Sequence, residues 1–150
     1  MPSGRVHSAA TVVLAVSGAW ITYRSGAPAA QVVALTSGIL TGLVLTPDLD
    51  VDQGSYSAHV VRRAFGRRAA QLWILFWLPY SLLIPHRSHI SHMPILGTLL
   101  RLAYVAAIPL LAYCLAGMPF DLPPLPAAWP WAAAGLALAD IAHFLLDSIF

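Results

Sequence analysis

His143 and Asp147 stand four residues apart in an apolar stretch near the end of the chain. On a helix that spacing puts both side chains on one face, where an imidazole and a carboxylate can hold a divalent ion from a rigid element. Asp140, three residues before His143, joins the same stripe. A buried hydrogen-bonded pair is the plain alternative, but ionisable side chains within an apolar span are costly and mark function by default. TPDLDVD at 46–52 supplies a second set. Asp48 and Asp50 alternate along an extended or turning segment, and their hard carboxylates suit bridging two metals or serving as a base. Asp52 fits better as a solvated turn residue. PHRSHISHMP at 85–94 supplies a third, with His86, His89 and His92 inside seven residues of a chain that has six histidines in all. Such density beside an apolar span favours ligation of zinc or a similar ion over a loop of surface histidines. Arg87, in the same run, is suited to gripping a phosphate or carboxylate. His7 gains meaning only from company, and His59, within an arginine-rich segment, has none.

These residues need elements to hold them, and composition says what kind. Of 150 residues, 59% are hydrophobic and 9% charged, against about 25% charged in a soluble domain. So few charges cannot coat a globular surface, which makes lipid the expected solvent and a single membrane-embedded domain, 1–150, the expected organisation. The bases are arginines without a lysine, the acids aspartates without a glutamate, and a net charge of +2 is too small to argue for nucleic acid. Cys114 is alone in an apolar run, which rules out an internal disulfide or a cysteine zinc cluster.

A spanning helix needs about 20 apolar residues. Ser8–Tyr23, Pro28–Thr46, Pro94–Gly117 and Ala127–Phe150 answer that need. Gln71–Ile84 does not: it is short, interrupted by Pro79 and rich in Trp, Phe and Tyr, which predicts an interfacial or re-entrant helix. VVRRAFGRRAAQLW, which leads into it, spreads four arginines among apolar residues, the pattern of an amphipathic helix on anionic lipid. An ordinary cytoplasmic loop fits the same arginines. PFDLPPLPAAWP at 119–130 is a proline-rich turn. The N-terminal apolar run has some look of a signal peptide, but Pro28 breaks the small-residue pattern of a cleavage site, so a first span is the better reading. The expected fold is therefore all-α: a polytopic membrane helical bundle of four transmembrane helices plus an interfacial amphipathic or re-entrant helix.

With four spans, the N-terminus, the segment 47–93 and the end of the last helix share one face. That face collects His7, Asp48, Asp50, Asp52, His86, His89, His92, Asp140, His143 and Asp147, enough for two or even three metal ions. It also collects Arg5, Arg62, Arg63, Arg67, Arg68 and Arg87, and arginine excess marks the cytoplasmic side. Arg101, two turns inside the third span, can pair with Asp140 or Asp48, bind an anionic substrate group, or snorkel to the headgroups.

MPSGRVH, PDLDVD, HRSHISHMPILGTLLR and the late HFLLD together resemble a family of small bacterial metal-binding membrane proteins, common in cyanobacteria, over nearly the whole chain. That family is similar in turn to membrane-bound metal-dependent hydrolases with an HR…H signature, and more distantly to zinc-dependent phospholipase C and the zinc single-strand nucleases. The resemblance implies a metal site of His7, Asp48, Asp50, His86, His92, His143 and Asp147, holding one to three divalent ions, zinc foremost. His89 falls at a position that varies. The soluble enzymes carry a second H-x-x-x-[DE] pair, which this chain lacks, so His86 and His92 stand in for it or fewer ions bind. The activity implied by the resemblance is that of a hydrolase of the bacterial inner membrane, acting on a phospholipid-like phosphoester at the cytoplasmic face. Asp48 or Asp50 would act as base or bridging ligand, and Arg87 and Arg101 would steady the anion. The alternatives are a non-catalytic metal-binding protein, a small transporter, a homo-oligomer or a subunit of a larger membrane complex.

Overall fold

Helix formation follows the apolar runs and stops where glycine and proline interrupt them. The structure, a computed structural model, describes residues 3–50, 55–84, 93–117 and 124–149, with the backbone alone at Asp50. Among these the chain is helical and strand-free: α1 Gly4–Arg24, α2 Ala29–Thr41, a 3-10 turn Pro47–Asp50, α3 Tyr56–Leu83, α4 Pro94–Leu115 and α5 Trp129–Ile149. Helices α1, α4 and α5 have 21, 22 and 21 residues. That is about 31–33 Å of helix, a match for a hydrocarbon core of about 30 Å, and each is apolar enough to cross it. Their surfaces invert the pattern of a protein in water. Val13, Val16, Trp20 and Ile21 of α1 and Ile95, Leu99 and Leu111 of α4 are exposed, while Thr98, Arg101, Asp140 and His143 are buried.

The second expected span is shorter than its apolar run. Helix covers only Ala29–Thr41, 13 residues, or about 20 Å. Beyond it the N–H groups of Gly42, Leu43 and Val44 donate to the carbonyls of Ile39, Leu40 and Thr41 at 3.0 Å, the tighter i→i−3 pattern of a fraying helix end. Pro47 then opens the 3-10 turn. Among the described residues three helices are both long and apolar enough to span, and α2 is a shorter apolar helix beside them.

The arginine-rich segment and Gln71–Ile84 belong to one kinked helix. α3 breaks at Gly66, where φ is 87° and ψ is 179°, a conformation open to glycine and strained for other residues. The second arm turns Trp77 and Tyr80 inward beside Leu49 of the 3-10 turn. Tyr104 of α4 meets Phe76, Trp77 and Tyr80 with ring centroids 5.1–5.5 Å apart and donates its hydroxyl to the Phe76 carbonyl. The tryptophans and tyrosines that suit a headgroup position are thus partly spent on fastening α3 to α4.

α5 is the central helix, lying along α2 and also touching α1 and α4. Gly38 of α2 and Gly42, just past its end, face Ala132, Gly135 and Ala139 on α5. A Cβ on Gly38 would fall 2.0 Å from the carbonyl oxygen of Ala132, and one on Gly135 2.2 Å from that of Leu35. The two backbones touch, as small residues four apart allow between membrane helices, and Ala15, Leu35, Ile39 and Ala139 fill the seam. Gly135→Ala should therefore destabilise the protein by about 3 kcal/mol, the upper end for overpacking, because rigid backbone must give way. Gly18→Ala meets only the flexible end of Ile39 at 3.1 Å and should cost clearly less. Thermal melting of the two variants in detergent checks the order.

Candidate metal centre

The up-and-down course of the chain brings three distant segments to one end of the bundle: the start of α1, the 3-10 turn after α2 and the end of α5. His7 Nε2 lies 3.1 Å from Asp147 Oδ1. His143 Nε2 lies 3.3 Å from Asp147 Oδ2 and 3.8 Å from Asp48 Oδ2. The two imidazoles stack, with centroids 4.0 Å apart and planes inclined by 20°. One donor atom from each of His7, His143 and Asp147 fits within 4.8 Å of the others.

Donors at about 2.05 Å around a tetrahedral zinc ion stand about 3.3 Å from one another, so these separations fit a shared ion. The rings lie nearly parallel, 4.0 Å apart, so one of them must turn for both to direct an in-plane lone pair at a shared ion, which would then take them as neutral donors. Nδ1 of His7 is buried with no hydrogen-bond partner among the described residues, so His7 is not committed to framing the helix. A void of about 20 Å³ bordered by His7, Thr11, Asp48, Asp140 and His143 has room for one water or ion. The site is graded in exposure: the side chains of His143 and His7 are 8% and 11% exposed, Asp48 36%.

Asp140 borders the same void but turns its carboxylate toward α4. Its Oδ2 accepts from Arg101 Nη2 and Thr98 Oγ1 of α4, and Arg101 is wholly buried. Arg101, expected to steady a substrate anion, sits inside the bundle and holds Asp140. Spacing does not single out Thr98, although it precedes Arg101 by one helical turn. Asp50 closes the 3-10 turn that carries Asp48. Asp52, His86, Arg87, His89 and His92 lie outside the described residues.

The fold and site together define an apolar helical protein with a His/Asp centre of metal-binding type at one end of its bundle. The chain belongs to a family described as uncharacterized metal-binding protein (DUF2227), which matches residues 2–122. That match takes in His7 and Asp48 but stops short of α5, so His143 and Asp147 enter the site through geometry. It bears on metal binding and not on hydrolysis. No curated protein and no solved structure matched the chain.

Proposed function

We propose that this is a multi-pass inner-membrane protein that holds a divalent ion, zinc by preference, between the start of α1 and the end of α5. The observation that carries the reading is the convergence of His7, His143 and Asp147, three ionisable side chains from opposite ends of the sequence, with Asp48 on the open side. Asp50, His86 and His92 are the residues we assign to any further ion. Arg5, Arg62 and Arg63 cluster near the same end, while Arg24 ends α1 at the other, which supports a cytoplasmic site.

Hydrolysis of a phospholipid-like phosphoester is the finer reading. Bound zinc would supply a Lewis acid and a water acidic enough to attack near neutral pH. Asp48, the most exposed acid of the cluster, or Asp50 would act as the base toward that water, and Arg87 is the cation we assign to the substrate anion. The void beside the cluster, about 20 Å³, admits a water and not a phosphoester, which favours the rival reading of a non-catalytic metal centre.

Elemental analysis of the detergent-purified chain should find about one zinc-type ion per chain, removed by chelator and restored by dialysis against metal. Failure to retain any ion after loading would sink the metal reading. Loaded protein that never turns over a phosphodiester reporter or a dispersed phospholipid would sink the hydrolase and leave the metal centre standing.

A further inference from the structure

A second concave site lies beside the first. It has a volume of about 490 Å³ and is lined by Arg5 of α1 and by Tyr56, His59, Val60, Arg62 and Arg63 from the first arm of α3. That volume falls in the range of small-ligand pockets, about 300–1,000 Å³. Arg5 stands more than fifty residues from the others in the chain. What brings it there is the contact between the start of α1 and Tyr56, so close that a Cβ on Gly4 would lie 2.6 Å from the Tyr56 ring. Among the described residues no carboxylate lines the pocket, and Arg5, His59, Arg62 and Arg63 make no ion pair and no side-chain hydrogen bond. The three arginines are exposed, so water screens much of their mutual repulsion, but an anion between them would meet three cations whose planar forks suit phosphate oxygens.

We propose that this pocket binds the phosphate group of an anionic lipid. The flanks choose lipid over a free anion. Phe65, 77% exposed, follows Arg62 by three residues and so shares its helix face, which gives an acyl chain leaving the pocket an apolar side chain beside it. The kink at Gly66 separates Arg62 and Arg63 from Arg67 and Arg68; all four are exposed, and of them Arg62 and Arg63 line the cavity. Tyr56 borders both this pocket and the void beside His7, Asp48 and His143, so the bound headgroup lies one side chain away from the His/Asp centre. The inference does not depend on that centre holding a metal.

Native mass spectrometry of the full chain in detergent, titrated with short-chain phosphatidylglycerol, phosphatidylcholine and inorganic phosphate, tests it. Phosphatidylglycerol should bind at least about tenfold more tightly than either of the others, and R62A/R63A or R5A should weaken it by about tenfold, the loss of one charge-assisted contact or more. R67A/R68A should change it by less than about twofold, a difference set by the two sides of the Gly66 kink. Equal losses in the two double variants would reduce the site to diffuse surface charge and overturn the proposal. Inorganic phosphate binding as tightly as the lipid would overturn the lipid assignment, and no phosphatidylglycerol binding at all would overturn the pocket. Phosphatidylglycerol binding should survive chelator, and R62A/R63A should keep its metal. Loss of lipid on chelation would move the headgroup to the His/Asp centre and overturn the proposal, whereas absence of metal with lipid binding intact fails only the metal reading.

Discussion

A His143→Ala variant should lose divalent-metal affinity by more than about 100-fold, since even changes to groups behind a ligand cost about 10–100-fold. His143 is the hub of the cluster. Its Nε2 faces both Asp147 and Asp48, and its ring stacks on His7. Removing it leaves His7 and Asp147 as a two-donor remnant and frees Asp48 from any shared ion. His143 is 8% exposed, so the variant also opens a small cavity, and the comparison must separate folding from ligation. His7→Ala provides that separation. It empties a different segment of the same site, 136 positions earlier by subtraction of the two residue numbers, and should lower affinity to a similar extent. The double variant should add little to either, because one site cannot be lost twice. His59→Ala, on an exposed face of α3, should leave metal binding unchanged. Isothermal titration of the chelator-stripped protein, with helicity followed by circular dichroism, reads all four. Retention of full affinity by His143→Ala would move the metal away from α5 and onto the segment 85–94.

Much of this site is legible from spacing. An i, i+4 His/Asp pair must share a helix face, and an alternation of apolar segments brings the first, third and fifth ends of a chain together. Those two arguments suffice to join His143 and Asp147 to His7 and Asp48. They do not tell which face of α5 each acid takes. Asp140 and His143 are three apart, about 60° short of a full turn, and that offset sends Asp140 to α4 and His143 to α1. Hydropathy also cannot see the end of α2. The run through Thr46 stays apolar while the backbone has already tightened at Gly42, because a 3-10 turn and an α-helix bury the same side chains. Gly38 and Gly42 stand in the sequence as a G-x-x-x-G pair, yet spacing names no partner. Only the approach of the Ala132 and Leu35 carbonyls shows that α5 fills the groove. The arginine pocket is hidden for a related reason. Its cations lie on two helices, and a segment-by-segment reading gives Arg62 and Arg63 to a surface stripe with Arg67 and Arg68.

Asp140→Ala should be the most destabilising single change in the bundle, by about 3–5 kcal/mol, the usual penalty for removing one member of a buried ion pair. Arg101 is 0% exposed and Asp140 1%, so neither charge can turn to water when its partner is lost. The pair joins α4 to α5, with Thr98 as a second donor to the same oxygen, one turn from His143. Losing it therefore has two consequences. The melting midpoint should fall by about 10 °C or more, and metal affinity should fall as well, because the rotation of α5 that aims His143 at His7 is no longer held from the α4 side. Arg101→Ala should behave in the same way for stability, with the Asp140 carboxylate now left to Thr98. The double variant R101M/D140L distinguishes a positioning device from a stabilising one. Replacing the whole pair by apolar groups of similar volume removes the desolvation penalty and should recover most of the melting midpoint. If its metal affinity stays low while stability returns, the ion pair sets the register of α5 beneath the metal centre. If affinity returns with stability, packing alone holds His143 in place, and Arg101 and Asp140 have no part in building the site.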